Sequence, residues 1–438
     1  MSTNHSSGSL SRLLNKLGQV EPSESRAVVT AFLLFFFVLG GYFAVRPVRE
    51  TFATVMGRDA VADLWIITSI GAVIIVPIYG ALVAWVRRAI LLPGIYAFVA
   101  LSLFSLAWYF QTNPDSVFAA KFFYVYISIL NLMLVSVFWS FLLELFDSGQ
   151  TKRLFGVIAA GGTAGALVGP LLTDLTVESI GTAGVLALGG AMFVAAIICQ
   201  QFLLKIWDAR VQTAAAGAKG RGLGGNPFAG FALLFKSRYL LGIALFVVFV
   251  STINTILYFE QLRLVEERYA DLADRTQVFA RLDYIVQTLT ILSQIFLTGR
   301  IATKLGLGVL LTSVPVAMVF VFLGLGLTGG FWVLVVAMVG RRWGEYAFLR
   351  PGREMLFGRL DTETKYKAKN TIDVPVYRGA DMLVAQVKNA LENAGLTAAG
   401  AAFIGAGAAA MWAANAWWLG REHNRQVEST ASEPQGMS

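Results

Sequence analysis

Apolar residues run along this chain in blocks about as long as a bilayer is thick, and the short polar breaks between them carry most of the charge. A helix needs about 20 predominantly apolar residues to cross the hydrocarbon core. Twelve such stretches can be marked, at 27–45, 64–86, 89–110, 117–146, 154–173, 180–204, 239–259, 276–298, 305–327, 331–357, 370–391 and 396–419. The tenth and eleventh have the weakest pattern because they contain charges, and they are retained because an even count makes the loop charges consistent. The pattern predicts an all-α polytopic membrane protein with 12 transmembrane helices in two six-helix bundles.

Composition sharpens the class. The 438 residues are 56% hydrophobic and 14% charged, against roughly 25% charged in soluble domains. The single cysteine, Cys199, lies inside an apolar run, so no disulfide framework and no thiolate metal cluster can be built. Both histidines, His5 and His423, sit in polar tails, and Walker A, HExxH and GxSxG patterns do not occur. The expectation is a protein that is not an enzyme, with no catalytic residues, no metal and no cofactor. Its expected partners are the lipid bilayer and a small-molecule anionic substrate rather than nucleic acid, and it is expected to act as a monomer.

Loop charges give an orientation. The first 26 residues are polar and carry Arg12, Lys16 and Arg26, with no small-residue cleavage signal behind the apolar stretch that follows. With that tail inside, the cytoplasmic loops hold Arg87, Arg88, Lys152, Arg153, Lys205, Arg210, Lys219, Arg221, Lys236, Arg238, Arg300, Lys304, Lys365, Lys367 and Lys369. The outer loops then have little beyond Arg58, Arg268 and Arg275, so the positive-inside rule puts both termini in the cytoplasm of a bacterial inner membrane. The expected domains are a tail (1–26), a bundle (27–204), a flexible Ala/Gly-rich basic linker (205–238), a second bundle (239–420) and a tail (421–438).

Six spans plus six suggest parallel repeats of the kind that build the major facilitators. Span 1 ends YFAVRPVRE from Tyr42 and span 7 ends YFEQLRLVEE from Tyr258; span 4 runs into QTKRLFG and span 10 into ETKYKAK. The loops GALVAWVRR and GRIATKLG look like worn copies of the facilitators' glycine and basic loop motif. In span 5, Gly156, Gly165, Gly169 and Pro170 follow the spacing of the glycine–proline motif of facilitator antiporters, with Thr173 and Asp174 in place of its closing glycine pair. Gly161, Gly165 and Gly169 also recur every four residues, which is a close-packing face.

Charges inside spans bear on function, because an ionisable residue at mid-membrane costs at least about 2.5–3.5 kcal/mol and so faces a bundle interior or a wet cavity. Arg341, Arg342 and Glu345 fall midway along span 10, and Arg378, Asp381 and Lys388 within span 11. Span 4 adds Lys121, Asn131 and Glu144, and span 7 adds Asn254 and Glu260. The excess is arginine, whose planar fork suits carboxylate and phosphate. Two readings stand: an anion seat, or intramolecular salt bridges to Glu345, Glu354 and Asp381 that fix helix packing.

From Glu345 the chain reads EYAFLRPGREMLFGRLDTETKYKAKNTIDVPVYRGAD. This stretch resembles the ATP/ADP translocase family of plastids and intracellular bacteria, which is related to the major facilitators. The family's Tyr, then Pro-x-Lys-Glu-Met, then Leu-Asp-x-x-Thr-Lys-x-Lys-x-Lys-x-x-Ile-Asp-Val is met without a gap. The matching residues are Tyr346, Pro351, Arg353, Glu354, Met355, Leu360, Asp361, Thr364, Lys365, Lys367, Lys369, Ile372, Asp373 and Val374. At the end of span 1, Tyr42, Val45 with Arg46, and Arg49 with Glu50 stand where the family has Tyr, Leu-Arg and Lys-Asp. Arg350 stands where the family tends to have Asp, and Asp381 where a lysine is expected.

The resemblance implies nucleotide exchange, ATP for ADP and phosphate, with basic residues at the Arg49 and Arg353 positions among the functional candidates. The expected mechanism is alternating access, with a proton-coupled facilitator of another organic solute as the alternative. Spans 1, 4, 7 and 10 are expected to line the cavity, with Arg46, Arg49, Arg341, Arg342, Glu345, Tyr346, Arg350, Arg353, Arg378 and Asp381 as substrate contacts. Tyr346, Tyr377 and Trp343 offer faces for a base. Glu50, Glu144, Glu260, Asp283 and Glu354 are the expected gating or coupling carboxylates. RPVRE (46–50) is read as part of an outer gate pairing with Glu260 or Asp283, and RPGRE (350–354) as part of an inner gate pairing with Glu144.

Overall fold

In a bilayer no water satisfies the backbone, so a chain this apolar must close its own hydrogen bonds within helices. A computed structural model describes residues 20–432 apart from 22, 86–87, 147, 215–233, 359–363, 365–367 and 370. The described residues form twelve long helices, one for each expected span. The first four are α1 (Ser25–Met56), α2 (Arg58–Trp85), α3 (Arg88–Thr112) and α4 (Val117–Leu145). The run Ser148–Ala214 breaks at Gly181, which takes φ 67°, giving α5 (148–180) and α6 (182–214). A side chain rarely tolerates that backbone angle, so glycine sets the corner.

The second half begins with α7 (Arg238–Arg268). Next, α8 runs over Leu272–Ser293, passes through a π-turn at Gln294–Thr298 and ends with Gly299–Lys304. It is followed by α9 (Gly306–Thr328). Helix α10 comprises Phe331–Gly344, a π-turn at Glu345–Leu349 and Arg350–Phe357. A π-turn at Ile372–Val376 leads into the body of α11 (Tyr377–Asn393), and α12 spans Ala398–Ser432. Eight helical stretches are long and apolar enough to cross a membrane, and one of them, Arg153–Ile206, contains both α5 and α6.

The first span is longer than hydropathy predicts. Helix α1 continues to Met56 rather than ending at Val45, so RPVRE lies within it with Pro47 in its interior. The charges are paired and therefore do not end the helix, and membrane helices tolerate proline where neighbours resatisfy the backbone.

The chain forms two compact units. The first comprises Met1–Gly57, Ile70–Arg221 and Tyr269–Tyr284, so the start of α8 belongs with the N-terminal helices. Its core is built by close approach. A Cβ placed on Gly161, Gly165 or Gly169 of α5 would come within 2.2, 2.2 and 2.4 Å of the carbonyls of Phe32, Phe36 and Gly40 on α1. The four-residue glycine spacing is thus a packing face. Phe35 stacks on Phe138 of α4 with ring centroids 4.0 Å apart.

The second unit comprises Arg58–Ser69, Gly222–Arg268 and Ile285–Ser438. Here the small face lies on α12, where Ala402, Ala406, Ala409 and Ala416 are buried. A Cβ on Gly420 would lie 2.4 Å from Cα of Gly308 on α9.

Candidate functional site

In the second unit, α7, α10 and α11 bring their charges together. Arg341 and Glu345 are one helical turn apart on α10, both buried, with Nη1 to Oε2 at 2.9 Å. Arg350 approaches the other carboxylate oxygen of Glu345 at 3.1 Å. One carboxylate therefore carries two guanidinium groups. The Arg350 guanidinium also covers the Tyr346 ring at 4.5 Å, while 56% of its side chain remains accessible.

On α11, Arg378 lies 3.7 Å from the buried Asp381, and Ser251 of α7 donates a hydrogen bond to Asp381. Arg342 is buried beside Arg341. Arg341 and Arg350 thus share the one carboxylate of Glu345, and Arg378 lies beside Asp381.

The remaining charges of this segment form pairs. Arg353 meets Asp373 at 3.0 Å, and Glu354 pairs with Lys369. Glu260 pairs with Arg263, which also reaches Glu267 at 2.8 Å. Lys388 pairs with Glu392 and lies 5.2 Å from the Phe259 ring. Arg341, Arg350 and Arg378 thus lie in intramolecular ion pairs with Glu345 and Asp381. The side chains of Glu144 and Asn131 lie outside the described residues.

The first unit holds the other cluster. Arg46 donates to both carboxylate oxygens of Asp283 at 3.1 Å and lies 3.9 Å from Glu50. Arg49 pairs with Glu50, donates to Ser128 at 3.1 Å and lies 5.3 Å from the Tyr124 ring. Two arginines face two carboxylates among the described residues. Neutral and charged contacts extend this cluster along α8: Thr51 with Thr276 at 2.7 Å, Arg275 to Thr54 at 2.8 Å, and Arg281 to Asp174 at 2.9 Å. Gln277 reaches Glu178 at 2.9 Å.

Several of these residues carry no signal in a hydropathy scan, including Ser251, Thr276 and Gln277. Thr173 and Asp174 did carry one, as departures from the glycine–proline motif. Thr173 donates to the Ala44 carbonyl at 2.7 Å, and Asp174 receives Arg281.

No protein-family model and no curated protein matches this chain. Solved structures do. A bacterial homologue of the iron transporter ferroportin aligns at TM-score 0.62 and 13% identity, covering 89% of this chain and 98% of its own. The POT family transporter PepTSo aligns at 0.61 and 12%, covering 92% and 99%. A mutant of the nucleoside transporter NupG aligns at 0.60 and 14%, covering 92% and 99%. At these identities the likeness defines the fold, which is that of a major-facilitator-like, all-α polytopic membrane protein.

Proposed function

We propose that the chain is a secondary transporter working by alternating access, and that it exchanges nucleotides of the ATP/ADP type or a related multiply charged organic anion. The observation that carries this reading is the charge balance on α10 and α11: Arg341 and Arg350 share the single carboxylate of Glu345, with Arg378 beside Asp381. Guanidinium forks suit phosphate oxygens, and a surplus of them in an apolar setting favours an anion. Arg350, accessible on one side, would be expensive to expose to lipid and so is expected to face a wet space. Tyr346, Tyr377 and Trp343 supply aromatic faces nearby for a base.

The surplus also supplies a coupling rule. An empty site closing over unneutralised arginines would move net charge into low dielectric, which costs several kcal/mol per ion. A bound anion removes that cost, so the switch proceeds loaded in both directions and exchange becomes obligatory, provided the anion favours the occluded state. RPVRE is read as a gate segment, in a bacterial inner membrane with both termini cytoplasmic.

The fold likeness to transporters and the resemblance around residues 345–381 support this reading. The test is labelled ATP uptake into reconstituted vesicles, challenged with ADP, other nucleotides, phosphate and dicarboxylates. Inhibition by ADP at concentrations where dicarboxylates fail is expected. No inhibition by any nucleotide would remove the substrate claim. A second reading, proton-coupled transport, is favoured by the buried Asp381 held by Ser251, and uptake into empty vesicles driven by a pH gradient alone would select it.

A further inference from the structure

The π-turn in α10 has a chemical consequence. The Arg350 N–H bonds the Glu345 carbonyl, five residues back, and so is withdrawn from the Tyr346 carbonyl it would otherwise serve. Residue 351 is proline and offers no N–H at all, so the Tyr346 carbonyl has no donor five residues on and the Ala347 carbonyl has none four residues on. Two adjacent carbonyls of the charged segment are thereby left without their usual helical donors. In an apolar interior each orphan costs about 1–3 kcal/mol unless something else donates to it.

Helix α8 supplies the donors. Gln294 Nε2 reaches the Tyr346 carbonyl at 3.2 Å, and Thr298 Oγ1 reaches the Ala347 carbonyl at 2.8 Å. These two residues stand at the two ends of α8's own π-turn. Ser293, immediately before that turn, accepts from Trp343 Nε1 at 2.8 Å, which adds a third tie to α10. The arrangement is asymmetric. The Thr298 hydroxyl has an alternative acceptor in its own helix, the Ser293 carbonyl at 3.1 Å, whereas the Ala347 carbonyl has lost its regular backbone donor.

We propose that Thr298 and Gln294 are positioning residues: they replace the donors that Pro351 and the π-turn remove from α10, and so fix where Glu345, Tyr346 and Arg350 point. As a claim about transport, this rests on the reading of that cluster as the anion seat. As a claim about α10 it does not.

The experiment uses Thr298→Val, Thr298→Ser, Pro351→Ala and the double variant Thr298→Val/Pro351→Ala in the full chain. Two readouts are taken: the half-saturating ATP concentration for uptake, and amide hydrogen exchange over residues 344–357. Thr298→Val is expected to raise the half-saturating concentration about tenfold, the equivalent of one hydrogen bond, with the maximal rate changed less. Thr298→Ser keeps the donor and is expected to stay within about twofold. Pro351→Ala returns an N–H to the Ala347 carbonyl, so Thr298→Val should cost markedly less in that background.

Exchange over 344–357 should quicken in Thr298→Val and be restored in the double variant. An equal effect of Thr298→Val in both backgrounds overturns the proposal, as does faster exchange spread evenly over the second unit, or none. If the parent chain takes up no nucleotide, the substrate reading fails while the exchange data still decide the positioning claim.

Discussion

In α1 the proline of RPVRE is carried inside an unbroken α-helix, whereas in α10 the proline of RPGRE comes one residue after a π-turn. The arginine before each proline behaves differently too. Arg46 is held by Asp283 of α8 and lies near Glu50, in a set of two arginines and two carboxylates. Arg350 shares Glu345 with Arg341, in a set that has one more arginine than carboxylates among the described residues once Arg378 and Asp381 are included. A balanced network can be buried and released as a unit, while a surplus asks for an anion. Sequence likeness between two short motifs therefore says little until the partners of each charge are known.

The largest expected effect comes from the unbalanced set. Glu345→Gln leaves Arg341 buried without its carboxylate and should destabilise the protein by about 3–5 kcal/mol in denaturant unfolding, with uptake lost. A loss below about 1 kcal/mol would be that of an exposed ion pair, and would mean that Glu345 does not organise the cluster. Asp283→Asn strikes the balanced set and removes a charge-assisted interaction, an expected cost of about 1.5–3 kcal/mol in the same measurement. Its signature should be a changed maximal transport rate at little-changed half-saturation.

Packing gives a control that involves no charge. Gly165→Ala places a methyl group 2.2 Å from the Phe36 carbonyl and should cost about 1–3 kcal/mol. Gly156→Ala, on the same helix, meets nothing within 4 Å and should be neutral or slightly stabilising. Equal melting temperatures for the two variants would deny that the α1–α5 approach is tight.

The smallest effect concerns Glu24, just outside α1. Burial raises its carboxyl, but hydrogen bonds from Arg153 and Gln150 outweigh burial and hold it below the ordinary glutamate range. Its contribution to stability is thus fully present above the unfolded value and is lost as pH falls through the folded one. Glu24→Gln should lower the neutral plateau slightly, converge with the parent protein at low pH and so flatten the acid limb of the stability curve. An unchanged acid limb would remove Glu24 from that account.

Hydropathy made most of the twelve helices legible, because twenty apolar residues in a row have few other uses, while the charged tenth and eleventh were placed by the even count that the loop charges ask for. It misplaced the end of α1, since paired charges such as Arg46 with Asp283 are invisible to a scan that sees each residue alone. The arginine-rich character of α10 and α11 was legible from composition, but the pairing of Glu345 with two arginines was not. The π-turns left no periodic trace within apolar runs. Pro351 was the visible sign of the one in α10, and its meaning emerged only with Thr298 and Gln294 beside it. Neutral polar residues such as Ser251 and Thr276 were passed over because they cost little to insert, yet between membrane helices they bind carboxylates and hydroxyls.

The contrast between the two motifs is tested most directly by the concentration dependence of labelled ATP exchange in vesicles preloaded with ADP, measured side by side for Arg350→Gln and Arg46→Gln. Arg350→Gln is expected to raise the half-saturating concentration by about 10- to 100-fold, the equivalent of one charge-assisted phosphate contact. Arg46→Gln is expected to leave it within about threefold, below the roughly tenfold that losing a direct contact would bring, while changing the maximal rate. Equal increases in half-saturation for both variants, or a shift for Arg46→Gln alone, would contradict the assignment of the anion seat to α10 and of a gate to α1.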